Sequence, residues 1–308
     1  MSASAKIVAL EARNAQRFIP DSARLASANP VNAMSIDVED YFQVSALESR
    51  IGRARWSEWE LRVDRNTRRA LEMFDEAGVK ATFFTLGWVA DKCPSLVREI
   101  VDQGHELASH GYEHKRATMQ TQVEFREDIR RAKQMLEDLS GVEVRGYRAP
   151  SYSIGEQNLW AFDELAAAGY RYSSSVYPIA HDLYGMPDAP RFAFRLRESG
   201  LLEVPVTTLN YAGRNWPCGG GGFFRLLPYA LFKRGLNRVN RSDRQPGLFY
   251  FHPWELDPDQ PRVDGLSAKS RFRHYLNLSR MQPRLARLLR DFRWDRMDRV
   301  FLGSEPQS

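Results

Sequence analysis

Apolar residues follow a helical period in some stretches and a strand-like one in others, and glycines mark most of the switches. From Val31 onward a helix-period stretch repeatedly ends at a glycine, and a short apolar run follows. Gly78 precedes VKATFFTLG, Gly104 precedes HELASHG, Gly141 precedes VEVRGYRAP and Gly169 precedes YRYSSSV. Glycine just past a helix end accepts the left-handed backbone that a Cβ resists. The segment from Thr121 to Gly141 is the plainest helix, because Phe125, Ile129, Ala132, Leu136 and Leu139 recur every three or four residues as one stripe. Thr121 and Glu124 have capping-box spacing at its start.

Strands alternating with helices at this spacing predict a parallel sheet or barrel with helices outside it. No internal sequence repeat accompanies the rhythm, which argues against a solenoid. Beyond residue 200 the pattern loosens. LLEVPVTTL reads as a strand, Gly219 to Gly222 as a flexible run, 223–239 as helical and GLFYF (247–251) as a buried strand. Ser270 to Arg290 reads as a basic amphipathic helix or helix pair broken near Pro283, with Leu285, Leu288, Leu289 and Phe292 facing the core. Residues 1–30 lack a sustained period and read as an N-terminal tail or loosely docked arm.

Composition narrows the class. The chain has 308 residues, 43% of them hydrophobic, enough for a sizeable core and too apolar for disorder or a collagen-like repeat. Cys93 and Cys218 are too few for a disulfide framework and are expected as reduced thiols. The net charge of +5 permits a polyanion or a membrane surface as partner but requires neither. No apolar run spans a bilayer, and the N-terminus lacks an ordinary secretion signal. A cytoplasmic location, in solution or at the membrane face, is therefore expected.

Chemically useful residues fall where the predicted strands finish. Asp37, Glu39 and Asp40 follow MSI, His110 and His114 follow HELAS, Arg148 ends VRGYR and His252 ends GLFYF. In α/β barrels the C-terminal strand ends converge on one mouth. Two histidines four apart reach one metal from a helical turn or a tight loop, and a carboxylate from the first strand completes a site with open positions. Three acids within DVED exceed what a helix cap needs, and a cation among them relieves their repulsion. Strand alternation points Asp37 and Glu39 to one side, and Asp40 joins them if the chain turns. Arg148, stiffened by Ala149 and Pro150, keeps a neighbouring carboxylate ionised.

These residues resemble a known family. SIDVEDYF, HGYEH, RGYRAPSYS and FYFHPWELDP are similar to the motifs of polysaccharide deacetylases with the NodB homology fold, carbohydrate esterase family 4. NAMSIDVEDYFQVSALE, GGGGFFRLLPY and FHPWELDPDQPR resemble more closely the subgroup encoded beside exosortase (PEP-CTERM) exopolysaccharide loci, which carries a C-terminal extension of unknown function. The resemblance implies an irregular, seven-stranded (β/α) barrel over residues 31–256, with 257–308 as an extension packed on it. It implies hydrolysis of N-acetyl groups on hexosamine units of an extracellular polysaccharide or its precursor. It also implies a divalent metal, zinc first, with cobalt, nickel and manganese as alternatives. By that resemblance Asp37 is the base, His110 and His114 are metal ligands, Arg148 orients the base and His252 is the general acid. Val38 replaces the second of two adjacent aspartates, so the third ligand falls to Glu39 or Asp40. Ser173 stands where the subgroup usually has an aspartate.

The oxyanion is expected on a backbone N–H of Tyr152 or Ser153. Tyr152, Trp254 and Tyr177 are expected as walls for the sugar. Two other readings fit less of the pattern: an amidohydrolase acting on a small or lipid-linked amide, and a catalytically silent carbohydrate-binding scaffold. Nucleic acid is not an expected partner, because the C-terminal arginines alternate with core-facing leucines and with Asp291, Asp295 and Asp298.

Overall fold

The computed structural model describes residues 14–182 and 184–303, so the first thirteen residues of the N-terminal arm lie outside the described residues. Its strands are β1 (Phe18–Pro20), β2 (Asn32–Val38), β3 (Thr82–Thr85), β4 (Glu106–Ser109), β5 (Gly146–Tyr147), β6 (Tyr172–Ser173), β7 (Phe194–Leu196), β8 (Leu202–Glu203), β9 (Thr208–Tyr211), β10 (Arg214–Pro217), β11 (Leu248–Phe251) and β12 (Trp294–Asp295). Seven of them run parallel in the spatial order β8-β6-β5-β4-β3-β2-β11. β7 and then β1 extend the β8 edge antiparallel, and β12 pairs with the start of β2. The arm is thus tied down at β1, where buried Phe18 packs 4.6 Å from the Phe194 ring.

The glycine-marked rhythm reports the backbone correctly. Gly78, Gly104, Gly141 and Gly169 all have left-handed φ, between 64° and 84°. Helix Gln122–Ser140 starts with the Thr121–Glu124 capping box and buries Phe125, Ile129, Ala132 and Leu136. The region read as one helix over 223–239 is two, Gly221–Leu226 and Tyr229–Arg241, broken at Leu227–Pro228. Near the C-terminus the break falls at Asn277 (φ 51°), and Pro283 occupies the first turn of helix Met281–Asp291, where its missing N–H costs nothing. Leu285, Leu288 and Leu289 are buried against Leu71 and Phe74 of helix Val63–Ala77.

The Gly219–Gly222 run is not a flexible linker. It closes the barrel where regular strand pairing fails. Tyr250 N–H donates to Gly219 O (2.8 Å), Cys218 N–H to Thr207 O (3.0 Å) and Val206 N–H to Val176 O (3.1 Å). A Cβ on Gly219 would lie 2.6 Å from Leu248 O, and one on Gly221 would lie 2.3 Å from Glu255 Oε1. The opposite end of the barrel is filled by the C-terminal segment. Met297 and Phe301 pack with Ala33, Phe84, Ala108 and Tyr172, and Met297 N–H donates to Thr82 Oγ1. No helix among the described residues is long and apolar enough to cross a membrane.

Candidate active site

A pocket of about 410 Å³ opens at the C-terminal ends of β2, β4 and β11, and Asp37, Glu39, His110, His114, Tyr152, His252 and Trp254 line it. His110 leaves β4 with its Nδ1 2.8 Å from Arg148 O, which turns Nε2 toward the pocket. His114 returns through a tight loop, not a helical turn, with φ 51°. That loop is fastened from three sides. Gly87 N–H donates to Gly111 O and Trp88 N–H to Tyr112 O (both 2.9 Å), Tyr112 N–H donates to Asp128, and Arg53 reaches the carbonyls of Glu113 and His114. Non-glycine residues with left-handed φ cluster here, since Ser151 (55°) and Tyr152 (51°) join His114.

Ligand atoms of Glu39, His110 and His114 all lie within 4.8 Å of one another, and all three residues are buried. Glu39 Oε2 has no hydrogen-bond donor, yet it lies 2.9 Å from His114 Nε2. Two lone-pair atoms aimed at a common point in a buried cluster fit a divalent cation, and the nitrogen–oxygen donor set suits zinc. Burial holds His110 down at about 4, against the pull of Asp37, and so keeps its ring neutral and able to ligate. Burial disfavours the Glu39 carboxylate, but His114, His252 and His110 outweigh it and lower its pKa to about 2.

Asp40, the alternative third ligand, turns away from the cluster. Its Oδ1 accepts from Tyr41 N–H (2.8 Å), and its Oδ2 accepts from Arg62 N–H (2.6 Å) and Val63 N–H (2.8 Å) at the start of helix Val63–Ala77. The strand alternation that set Glu39 beside Asp37 thus matches the geometry, and Asp40 serves as a cap.

Asp37 and Arg148 form a fully buried pair. Arg148 donates to Asp37 Oδ1 (2.5 Å), Ser35 Oγ (3.0 Å), Ser174 O (3.2 Å) and Ser174 Oγ (3.1 Å), and its guanidinium lies 3.9 Å from the Phe84 ring centre. Met297 Sδ approaches the same guanidinium at 3.7 Å, so the C-terminal segment forms the floor beneath it. Four polar partners and an aromatic face leave the guanidinium a single orientation. Ser173 hydroxyl donates to Ser175 Oγ (2.8 Å), and Ser175 Oγ in turn accepts from Ala149 N–H (2.9 Å).

His252 faces the acids from across the pocket, with Nε2 3.4 Å from Glu39 Oε1 and 3.9 Å from Asp37 Oδ2. Its Nδ1 lies 2.9 Å from Glu255 Oε1, and Glu255 Oε2 accepts from Arg225 Nε (2.6 Å). Burial pulls the imidazole down, but Glu39, Glu255 and Asp37 together raise it to about 9. Arg225 is 1% exposed and is held by the carbonyls of Arg273, His274 and Leu276, all from the C-terminal part. Sequence reasoning missed Glu255 and Arg225. The one signal was Glu255 three residues after His252 across Pro253, a spacing that a 3₁₀ turn closes.

Of the expected sugar walls, Tyr152 and Trp254 line the pocket and Tyr177 does not. Tyr177 is fully buried behind Tyr152 (5.7 Å) and Tyr184 (5.9 Å), and Tyr184 and Tyr250 take the wall position instead. Trp254 is stacked between His252 (5.1 Å) and His274 (4.3 Å). The Tyr152 amide is occupied, since it donates to Ala149 O (3.0 Å).

Seven parallel strands with a nitrogen–oxygen ligand trio and an acid–arginine pair at their C-terminal ends define an irregular (β/α) barrel with a candidate metallohydrolase centre. Comparison with known proteins agrees. The polysaccharide deacetylase family matches residues 58–173, and a domain of unknown function, DUF3473, matches residues 174–302. Residues 58–173 are thus similar to a polysaccharide deacetylase domain. His110, His114 and Arg148 fall in the first match and His252 in the second, while Asp37 and Glu39 precede both. A peptidoglycan-N-acetylglucosamine deacetylase of Bacillus cereus is 33% identical over 99 residues, covering 32% of this chain and 36% of that protein. A peptidoglycan deacetylase of Helicobacter pylori is 27% identical over 113 residues, covering 35% of this chain and 36% of that protein. The chain thus spans about a third of these relatives' length. A Mycobacterium smegmatis protein assigned as a polysaccharide deacetylase shares the fold at 18% identity and a TM-score of 0.53, over 88% of this chain and 91% of that one.

Proposed function

We propose that the protein is a metal-dependent N-deacetylase acting on N-acetylhexosamine units of a polysaccharide or its precursor. The observation that carries this reading is the convergence of Asp37, the Glu39–His110–His114 trio and His252 on one pocket. Glu39, His110 and His114 would hold the cation, whose chemistry is Lewis-acidic: it polarises a carbonyl and acidifies water. Asp37, oriented by its hydrogen bond from Arg148, accepts the proton of the attacking water. Protonated His252, oriented through Nδ1 by Glu255, delivers a proton from Nε2 to the departing amine nitrogen. Tyr152, Tyr250 and Trp254 give the sugar ring apolar faces and exclude bulk water.

Acetate release from a panel of N-acetylated oligosaccharides tests this reading. Activity should disappear on chelation and return with zinc. Acetate release that survives complete metal removal would overturn the metal dependence, and a deacetylated product from a non-sugar amide alone would move the substrate class.

A further inference from the structure

Hairpin β9–β10 stands apart from the main sheet and exposes two large aromatics, Tyr211 at 71% and Trp216 at 54%. Register places Leu209 opposite Trp216 and Tyr211 opposite Arg214, so these four side chains share one face, while Asn210 and Asn215 bond to each other on the other. Leu209 points at helix Tyr229–Arg241. A Cβ on Gly235 would lie 2.8 Å from Leu209 Cδ1. Leu231 and Arg238 flank Gly235 at helix-neighbour spacing, and Arg234 is the neighbour of both. Leu231 is 57% exposed, and Arg234 and Arg238 are exposed. The aromatic face and the basic stripe are therefore one continuous surface.

Arg214, Arg234 and Arg238 have no ion-pair partner among the described residues. An exposed aliphatic, a tyrosine and a tryptophan ringed by three unpaired guanidiniums match the water–lipid interface. There aromatic rings settle at headgroup level and each basic side chain gains from anionic phosphates. The exposed Leu231 favours lipid over a sugar polymer, whose C–H faces stack on aromatic rings but offer no acyl chains to an aliphatic side chain. We infer that this face, built by Tyr211, Arg214, Trp216, Leu231, Arg234 and Arg238, docks the protein on an anionic phospholipid surface. Leu248 N–H, at the N-terminal end of β11, donates to Thr207 Oγ1 just before β9, so the hairpin leaves the barrel at the end opposite the pocket.

The test is co-sedimentation of the full chain with vesicles of phosphatidylglycerol and phosphatidylcholine, against phosphatidylcholine alone. Binding is expected to the anionic vesicles only, and it should weaken as salt rises and the Debye length falls from about 10 Å at 0.1 M toward about 3 Å at 1 M. Replacing Arg214, Arg234 and Arg238 with Gln should weaken binding about 5-fold per arginine. Tyr211→Ser with Trp216→Ser should weaken it at least about 10-fold. All six positions are solvent-facing, so both variants should melt as wild type does. No sedimentation, equal sedimentation with neutral vesicles, or unchanged binding in both variants would overturn the inference. Hairpin-dependent retention on an immobilised anionic polysaccharide with no vesicle binding would also overturn it and reassign the surface to a polymer. The readout is independent of catalytic activity.

Discussion

Neighbouring acids Glu39 and Asp40 have separate jobs, and a pair of substitutions distinguishes them. In Asp40→Ala three backbone N–H groups, of Tyr41, Arg62 and Val63, lose their acceptor at a site where Asp40 is fully buried. Loss of a helix cap costs about 0.5–2 kcal/mol, and leaving a buried amide unpaired costs about 1–3 kcal/mol more. A total of about 3 kcal/mol corresponds to a fall in Tm of roughly 4–5 °C for a chain of 308 residues. Metal content should not change, because the Asp40 carboxylate is outside the ligand trio. Glu39→Gln should do the reverse, losing bound zinc at least about 10-fold with a smaller change in Tm. Zinc per chain after equilibrium dialysis and a thermal melt measure both effects. Should Asp40→Ala fail to fold, Asp40→Asn retains an oxygen for the amides and should keep its zinc. Zinc lost from the Asp40 variants but retained by Glu39→Gln would refute the division of labour.

Arg148→Lys keeps the charge but cannot reach Asp37, Ser35 and Ser174 together, so kcat should fall at least about 100-fold with little change in KM, read from steady-state acetate release. Arg225→Met leaves the buried Glu255 carboxylate with His252 as its remaining charged partner and releases three carbonyls of the C-terminal part. A loss of about 3–5 kcal/mol in chemical denaturation is expected, with a reduced kcat in the folded fraction. Burial raises Glu203 to about 7, against the Ser175 and Val176 amides that bond its Oε1. An acid whose pKa is raised on folding stabilises fully below its unfolded pKa of about 4.5 and loses that contribution as pH rises through about 7, a total on the order of 3 kcal/mol. Wild-type Tm should therefore decline between pH 5 and pH 8, and Glu203→Gln should flatten that decline.

The sequence showed most clearly the features that local rules determine. Gly78, Gly104, Gly141 and Gly169 mark helix ends because the left-handed residue there has few substitutes. Asp37, His110, Arg148 and His252 were visible because a polar group ending an apolar run has few structural reasons to be there. Features that depend on distant partners stayed hidden. Nothing local announces that Arg225 reaches Glu255 or that Met297 lies under Arg148. Tyr177 has the same aromatic, strand-end signature as Tyr152, but Tyr152 faces the pocket and Tyr177 stacks behind it. Four glycines in a row suggest slack when read as a string, yet Gly219 and Gly221 are required by close backbone and carboxylate approach at the barrel seam.

In the mechanism proposed above, Asp37 transfers the proton beside a metal it does not hold. Zinc content and acetate release measured together on Asp37→Asn and wild type test it most directly. About one zinc per chain is expected in both proteins, with the rate of the variant lower by about 10²–10⁴-fold. Acetate release by Asp37→Asn at the wild-type rate, or loss of its zinc, would contradict it.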